Sequence, residues 1–376
     1  MDFKKILNNL ALIRYNKRGI ITFGIVAALV IVGSLVYSLR YNIMFMSSGK
    51  AEPEKIYAFD ATKQNSVYPY DDKLIVVNNE SVMCLDKDGD KVFEVLAKTS
   101  TPIVKTAGDY ILLADRGGSE VYVIHEGELI NNFSAENKII NCSINERGRT
   151  VLITNETSYR NVIVAYNTRG EEIYRWKISE FYIIDAVLSY DGSRIAASYI
   201  ATDNEQLTGG IIMVNVRQEK ILGKLAYKDC VFPYVSFNGN NSATAIGDSM
   251  MVGITKTGDE DWAVNYDGKK LQTFAFLEGE GTVLAFENNS NNSTLVAYDD
   301  NGKERGSSRL DFSVNNLDMR SGLTLATGST TAVAVDRKCR KRMETEFKHE
   351  VKRGWLKNNK SVIYIMNGSN IEVVKL

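Results

Sequence analysis

Histidine is nearly missing from this chain: 376 residues carry only two, His125 and His349. Four cysteines, Cys84, Cys142, Cys230 and Cys339, lie far apart, with neither a CxxC pair nor a Cys/His spacing. Those two scarcities exclude a zinc knuckle and a disulfide scaffold. The expectation is four buried, unpaired thiols. In an exported domain such thiols fit a bacterium that does not rely on disulfides. No GxGxxG, P-loop or GxSxG sequence occurs, and Gly117-Gly118 and Gly209-Gly210 read as hairpin glycines. The formal net charge is -1, and its positive share is concentrated at the start, in Lys4, Lys5, Arg14, Lys17 and Arg18. The remainder of the chain is mildly acidic. That argues against nucleic acid as a partner, because a phosphate backbone is gripped by clustered Lys and Arg.

One long hydrophobic run is present. Gly19 to Leu39 carries no charge, and about 20 apolar residues suffice for a helix to cross the hydrocarbon core. Arg14, Lys17 and Arg18 crowd its front edge, whereas Arg40 alone follows at once. The positive-inside rule then predicts a cytoplasmic basic tail (1–18), a membrane-spanning helix (19–39), a tether (40–54) and an extracytoplasmic domain (55–376). A cleaved signal peptide is the rival reading. Its apolar region is shorter, about 7–15 residues. The predicted place is therefore the cell membrane of a Gram-positive-type bacterium, crossed once, with the N-terminus inside.

Beyond Glu54 no long stretch has helical periodicity. Short β-rich runs are punctuated by Gly, Asn and Asp, which is an all-β signal. One unit recurs: an apolar strand, a turn opened by Asp, Asn or Thr and closed by Gly, then an apolar or aromatic residue four positions on. It reads Asp86–Gly89–Phe93, Asn167–Gly170–Tyr174, a Thr-led copy at Gly258 and Trp262, and Asp299–Gly302. Degenerate copies surround Gly127, Gln218 and Cys339, the last opened by Asp336. Asn131, Gly306 and Met343 stand where the other copies have an aromatic. Asp or Asn starts a tight turn through its side chain, and Gly takes the positive-φ position. The seven units recur roughly every 42 residues, the spacing of four-stranded propeller blades. The run from Lys55 to Asp60 is a spare strand, and the last copy lacks its fourth. Pairing the two closes a ring and covers exposed edges. The fold class predicted is an eight-bladed β-propeller, with seven blades as runner-up.

The D-x-x-G-x-x-x-aromatic unit resembles the repeat of quinoprotein-alcohol-dehydrogenase-like propellers. It is similar to the outer-membrane barrel-assembly lipoprotein propeller and, more distantly, to WD-repeat domains. The whole layout resembles clostridial single-pass proteins with an exported propeller of unassigned function. The quinoprotein resemblance implies a quinone cofactor over a calcium site on the central channel, but no residues can be assigned to either.

Chemistry is thinly supplied. His125 reads as a turn residue and His349 as a solvated loop residue. Asp86, Asp88 and Asp90 suggest a calcium loop, yet the twelfth position holds Ala97 instead of glutamate. The expectation is thus no catalytic residue, no metal and no cofactor. The cations between Asp336 and Arg342 read as a solvated outer edge, with anionic envelope polymer or lipid headgroups as the functional alternative. The best candidate for a binding loop is the long insert beyond Tyr199: Thr202, Asp203, Asn204, Glu205 and Gln206. The function expected is non-catalytic: docking a protein or cell-wall glycan partner. An enzyme at the channel mouth and an envelope sensor working through residues 1–18 are the alternatives. Carboxylates from several blades converging on the channel would favour the enzyme.

Overall fold

The computed structural model of this chain describes residues 54–59, 65–203, 206–239, 241–289, 291–357 and 362–375. The chain divides into two units, Met1–Ser48 and Gly49–Leu376, and every described residue belongs to the second. The expected tail and membrane helix, and the tether up to residue 53, lie outside the described residues. Among the described residues no helix is long and apolar enough to cross a membrane.

The second unit consists of eight four-stranded antiparallel sheets. Blade 1 is β2 (Ser66–Tyr70), β3 (Lys73–Val77), β4 (Ser81–Leu85) and β5 (Lys91–Leu96). Blade 2 is β6 (Pro102–Ala107), β7 (Tyr110–Asp115), β8 (Glu120–His125) and β9 (Glu128–Ser134). Blade 3 is β10 (Ile139–Ile144), β11 (Thr150–Glu156), β12 (Tyr159–Tyr166) and β13 (Glu172–Ile178). Blade 4 is β14 (Tyr182–Leu188), β15 (Arg194–Asp203), β16 (Gln206–Asn215) and β17 (Lys220–Lys228). Blade 5 is β18 (Tyr234–Phe237), β19 (Ala243–Ile246), β20 (Met250–Ile254) and β21 (Glu260–Asn265). Blade 6 is β22 (Lys270–Leu277), β23 (Gly281–Asn289), β24 (Asn292–Tyr298) and β25 (Glu304–Leu310). Blade 7 is β26 (Asn316–Arg320), β27 (Leu323–Thr327), β28 (Thr331–Asp336) and β29 (Lys341–Glu346). Blade 8 joins β30 (Arg353–Leu356), β31 (Val362–Met366) and β32 (Asn370–Lys375) to β1 (Glu54–Ala58), which pairs antiparallel with β32. The spare strand closes the ring as the sequence predicts, and the count is eight.

Within each blade the strands are lettered A to D from the inside out. First strands of adjacent blades pack on one another: β10 on β14, β14 on β18, β22 on β26, and β26 on β30. Burial explains the order. Strands B and C are buried almost throughout, as β3, β7, β11, β19 and β27 show. That is the pattern of a strand covered on both faces. The core lies in the seams between blades. Ile75, Ile111 and Leu113 share one cluster, Leu112, Leu152 and Val162 the next, and Ile163, Ile195 and Ile212 a third.

Outer strands dock on the next blade. Every D strand carries a register shift, at Ile56, Val92, Ile130, Ile173, Leu222, Asp261, Arg305 and Arg342, and in blades 1, 2, 4, 5 and 6 the next residue docks on the following blade. Such a bulge re-aims the residue after it. Phe93 and Trp262 are thereby laid against the turn glycines of the following blades. A Cβ added at Gly127 would fall 2.8 Å from Phe93, and one at Gly302 would fall 2.4 Å from Trp262.

Two turn assignments need correction. In blade 4 the positive-φ residue is Glu219 (φ 52), not Gln218, because the turn is one residue longer. The docking position then shifts to Gly223, whose backbone packs on Gly258. In blade 2 Glu126 and Gly127 both have positive φ (50 and 88), so this copy is a two-residue hairpin without an Asp-led turn. Cys339 does replace glycine, at φ 55. All four thiols are free and buried, and burial pushes those of Cys142 and Cys339 up to about 12.

Candidate functional site

Among the described residues the A–B and C–D turns lie at one end of the sheets, and the B–C turns at the other. The A–B end of the channel opens into a cavity of about 590 Å³. Its wall comes from the first strands and A–B turns of blades 2 to 6, including Lys105, Gly108, Glu146, Tyr190 and Tyr234. A second hollow of about 520 Å³ runs over the seam of blades 5 and 6, past Lys256, Trp262, Asp300 and Asn301. Asn238, Gly239 and Glu278 line both. The two hollows adjoin at these residues and follow one another, as a trough, from the channel mouth toward the rim.

The deep wall is polar for a structural reason. The channel-side edge of each first strand has no β partner, and neighbouring first strands diverge too far to pair. Side chains bridge the gap. From blade 3, Asn141, Ser143 and Asn145 donate to the carbonyls of Ile184 (3.1 Å), Ala186 (2.7 Å) and Ser189 (2.8 Å) of blade 4. Asp185 accepts from the Val235 amide of blade 5 at 3.1 Å, and Asp318 from the Leu356 amide of blade 8 at 2.7 Å. Asn316 donates to the Gly354 carbonyl at 2.9 Å. Burial raises the Asp185 carboxyl above its ordinary range, opposed by Lys105, the Val235 and Ala186 amides and Asn141. Burial likewise raises Asp318 to about 6, against the Leu356 amide and Arg320.

The mouth is different. Glu278 is raised by burial and then by the negative charges of Glu146 and Asp300. Three carboxylates from blades 3 and 6 therefore concentrate negative potential where the cavity opens. Tyr190 stands half exposed beside them, with Arg147 stacked over its ring at 4.4 Å.

The residues predicted from sequence fall elsewhere. Asp86, Asn167, Asp299 and Asp336 each accept backbone amides of their own C–D turns. The turn thus accounts for the calcium-like Asp86–Asp90 sequence. Gly89, Gly127, Gly170, Gly258 and Gly302 take positive φ in those turns. Tyr174 is buried as a docking residue, and burial and then Glu219 push its hydroxyl up to about 12. The supposed binding loop is a hairpin: pairing of β15 with β16 continues to Asp203 and Gln206. Tyr199 is a core residue, 2% exposed, whose hydroxyl donates to the Leu225 carbonyl at 3.1 Å. Its aromatic size in a strand, not a loop, is the physical reason. Thr202 and Gln206 are exposed, and Asn204 and Glu205 lie outside the described residues. This hairpin is at the B–C end, so the fold does not bring it to the trough. His349 is half-buried with Nε2 3.1 Å from Glu372, rather than loose in a loop. The basic turn of blade 7 is largely paired within itself, with Arg340 and Arg342 both donating to Asp336. Burial works to raise Asp336, but these bonds and its turn amides hold it down to about 2.

The sequence signature of one family, described as "Family of unknown function (DUF5711)", matches residues 49–376. The chain belongs to that family. Its matched span includes every blade and excludes the apolar run. No curated protein matches the chain in sequence. Among solved structures it is similar to the C-terminal WD40 domain of Sif2, with TM-score 0.59, 12% identity, 88% of this chain and 99% of that one covered. It is also similar to a eukaryotic initiation factor, with TM-score 0.55, 13% identity and coverage of 86% and 88%. A likeness to Kuenenia stuttgartiensis hydrazine synthase has TM-score 0.46 at 12% identity, covering 81% of this chain and 92% of that one. At such identity the likenesses to Sif2 and the initiation factor establish the propeller fold alone.

Proposed function

We propose that this DUF5711 chain is a membrane-anchored, extracytoplasmic docking module that holds a protein or cell-wall glycan partner on the A–B face of its ring. On this reading it is an exported propeller of the single-pass clostridial type. The trough carries the proposal. Two hollows of about 590 and 520 Å³ adjoin at Asn238, Gly239 and Glu278, one at the channel mouth and one over the seam of blades 5 and 6. Their succession across two blades suits an extended chain lying over the face. Its lining mixes carboxylates, amides, two lysines and the edge of Trp262, the groups that bind peptide backbone or sugar hydroxyls. The polar groups deeper in the channel are spent on joining blades. Membrane attachment is supported by the uncharged run from Gly19 to Leu39 and its basic front edge.

A photocrosslinking residue placed at Asn301 in intact cells should yield a discrete adduct. The same residue at Ser158, on the opposite face, should not. The double substitution E278K/D300K should abolish the Asn301 adduct. Equal labelling from both faces, or none from Asn301, would overturn the proposal. One observation favours an enzyme instead: Glu146 and Glu278, from different blades, converge at the mouth, and Glu278 is raised. Glu278→Gln separates the two readings, because it would silence a general acid but leave docking within a few fold.

A further inference from the structure

We propose that Asp109, His125 and Glu126 form a binding site for a divalent transition-metal ion of the zinc class at the A–B end of blade 2. Asp109 sits in the turn between β6 and β7, His125 ends β8, and Glu126 opens the turn to β9. The register explains the convergence. Tyr110 is the cross-strand partner of His125, so the residue before Tyr110 lies beside the residue after His125. The Glu126 amide donates to the Asp109 carbonyl at 3.3 Å, tying the two turns together. The carbonyl also accepts from the Tyr70 hydroxyl of blade 1 at 2.8 Å. One imidazole nitrogen and two carboxylate oxygens consequently lie within 4.8 Å of one another.

Three features set this group apart from the other acidic turns. The His125 ring is held by stacking on Tyr110, with centroids 4.2 Å apart and planes 28° from parallel. Asp86, Asp191, Asp299 and Asp336 give their oxygens to turn amides, but among the described residues no hydrogen bond or ion pair engages the side chains of Asp109, His125 or Glu126. Finally, Gly108, the neighbour of Asp109, lines the channel cavity alongside Glu146. The group therefore stands at the cavity's rim.

The donor set selects the ion. Calcium takes six to eight oxygens, and magnesium prefers water and carboxylate to imidazole; one imidazole with two carboxylates suits zinc or a similar ion. Ligands at about 2.0–2.2 Å from zinc stand roughly 3.5 Å from each other. Closing from 4.8 Å requires only rotation of the exposed Asp109 and Glu126 side chains toward the held imidazole. Three protein ligands leave a coordination position open to a further ligand. An ion so placed would offer a partner's carboxylate an anchor near the acidic mouth formed by Glu146 and Glu278.

The full-length protein titrated with ZnCl2 by calorimetry, and with Co2+ by visible absorption, should bind one equivalent per chain. The melting temperature should rise with added Zn2+. His125→Ala, and separately Asp109→Asn with Glu126→Gln, should weaken binding at least ten-fold and remove the Zn2+-dependent rise. His349→Ala should leave both unchanged. The Asp109→Asn/Glu126→Gln variant alters exposed side chains only, so an unchanged metal-free melt certifies its fold. No binding at millimolar Zn2+, or binding that survives His125→Ala, would overturn the assignment.

Discussion

The inner and outer rings of this propeller hold their blades together by opposite means. Around the channel, side-chain amides, hydroxyls and carboxylates reach backbone groups of the next blade, as Asn145 does to Ser189 and Asp318 to Leu356. Around the rim, bulges in the D strands press a side chain or bare backbone on the next blade's turn, as Trp262 does on Gly302. The difference arises from radial geometry. Near the axis the unpaired strand edges stay within reach of a side chain, so directional bonds can span them. Farther out the gap widens, and only bulk can fill it. Polar linkage is net-weak, about 1 kcal/mol per bond, whereas close packing is costly to disturb.

Four substitutions test that contrast. Replacing residues 54–58 by a Gly/Ser segment of equal length removes β1 and bares the β32 edge. It should cost about 5 kcal/mol or more, seen as loss of a single cooperative melt and as aggregation on gel filtration. Gly302→Ala places a Cβ 2.4 Å from Trp262 at φ 72, and should cost about 3 kcal/mol in chemical denaturation. Asn145→Ala removes the bond to Ser189 and two turn bonds to the Arg147 and Arg149 amides. The expected cost is smaller, about 2 kcal/mol. If it exceeded that of Gly302→Ala, the ranking of rim over channel would be wrong. Asp318→Asn should stabilise. With its folded value raised to about 6 from 3.8, the native state holds the proton more tightly than the unfolded chain. Stability then falls as pH rises through that window, and the penalty is complete above it. The variant should gain about 1 kcal/mol at pH 8 and nothing near pH 3.

The sequence disclosed what is local. Asp86–Gly89, Asn167–Gly170 and Asp299–Gly302 are self-contained turns whose side chains bond their own amides, so each can be recognised without its neighbours. The closing strand could be read because one copy lacked a fourth strand and one strand was spare. What escaped depends on register or on distant pairs. The D-strand bulges leave no mark in composition: Val92 and Arg342 share a role but no chemistry. Gln218 reads as the turn residue because the extra residue of that turn is invisible without the ladder. Tyr199 reads as part of a loop since a Thr/Asp/Asn run comes after it, yet strand pairing carries on through that run. The trough and the Asp109–His125–Glu126 group are built from turns on different strands, which only the folded sheets bring together.

Blade 8 takes β1 from the front of the described chain and its other three strands from the back. During synthesis β1 emerges first and its only pairing strand last. The intervening seven blades must form, or wait, with the ring open. Completion of the circle is therefore a late, long-range step, slow by the measure of contact order, and chain truncated anywhere before β32 would be left with an open seam that proteases and aggregating partners can find.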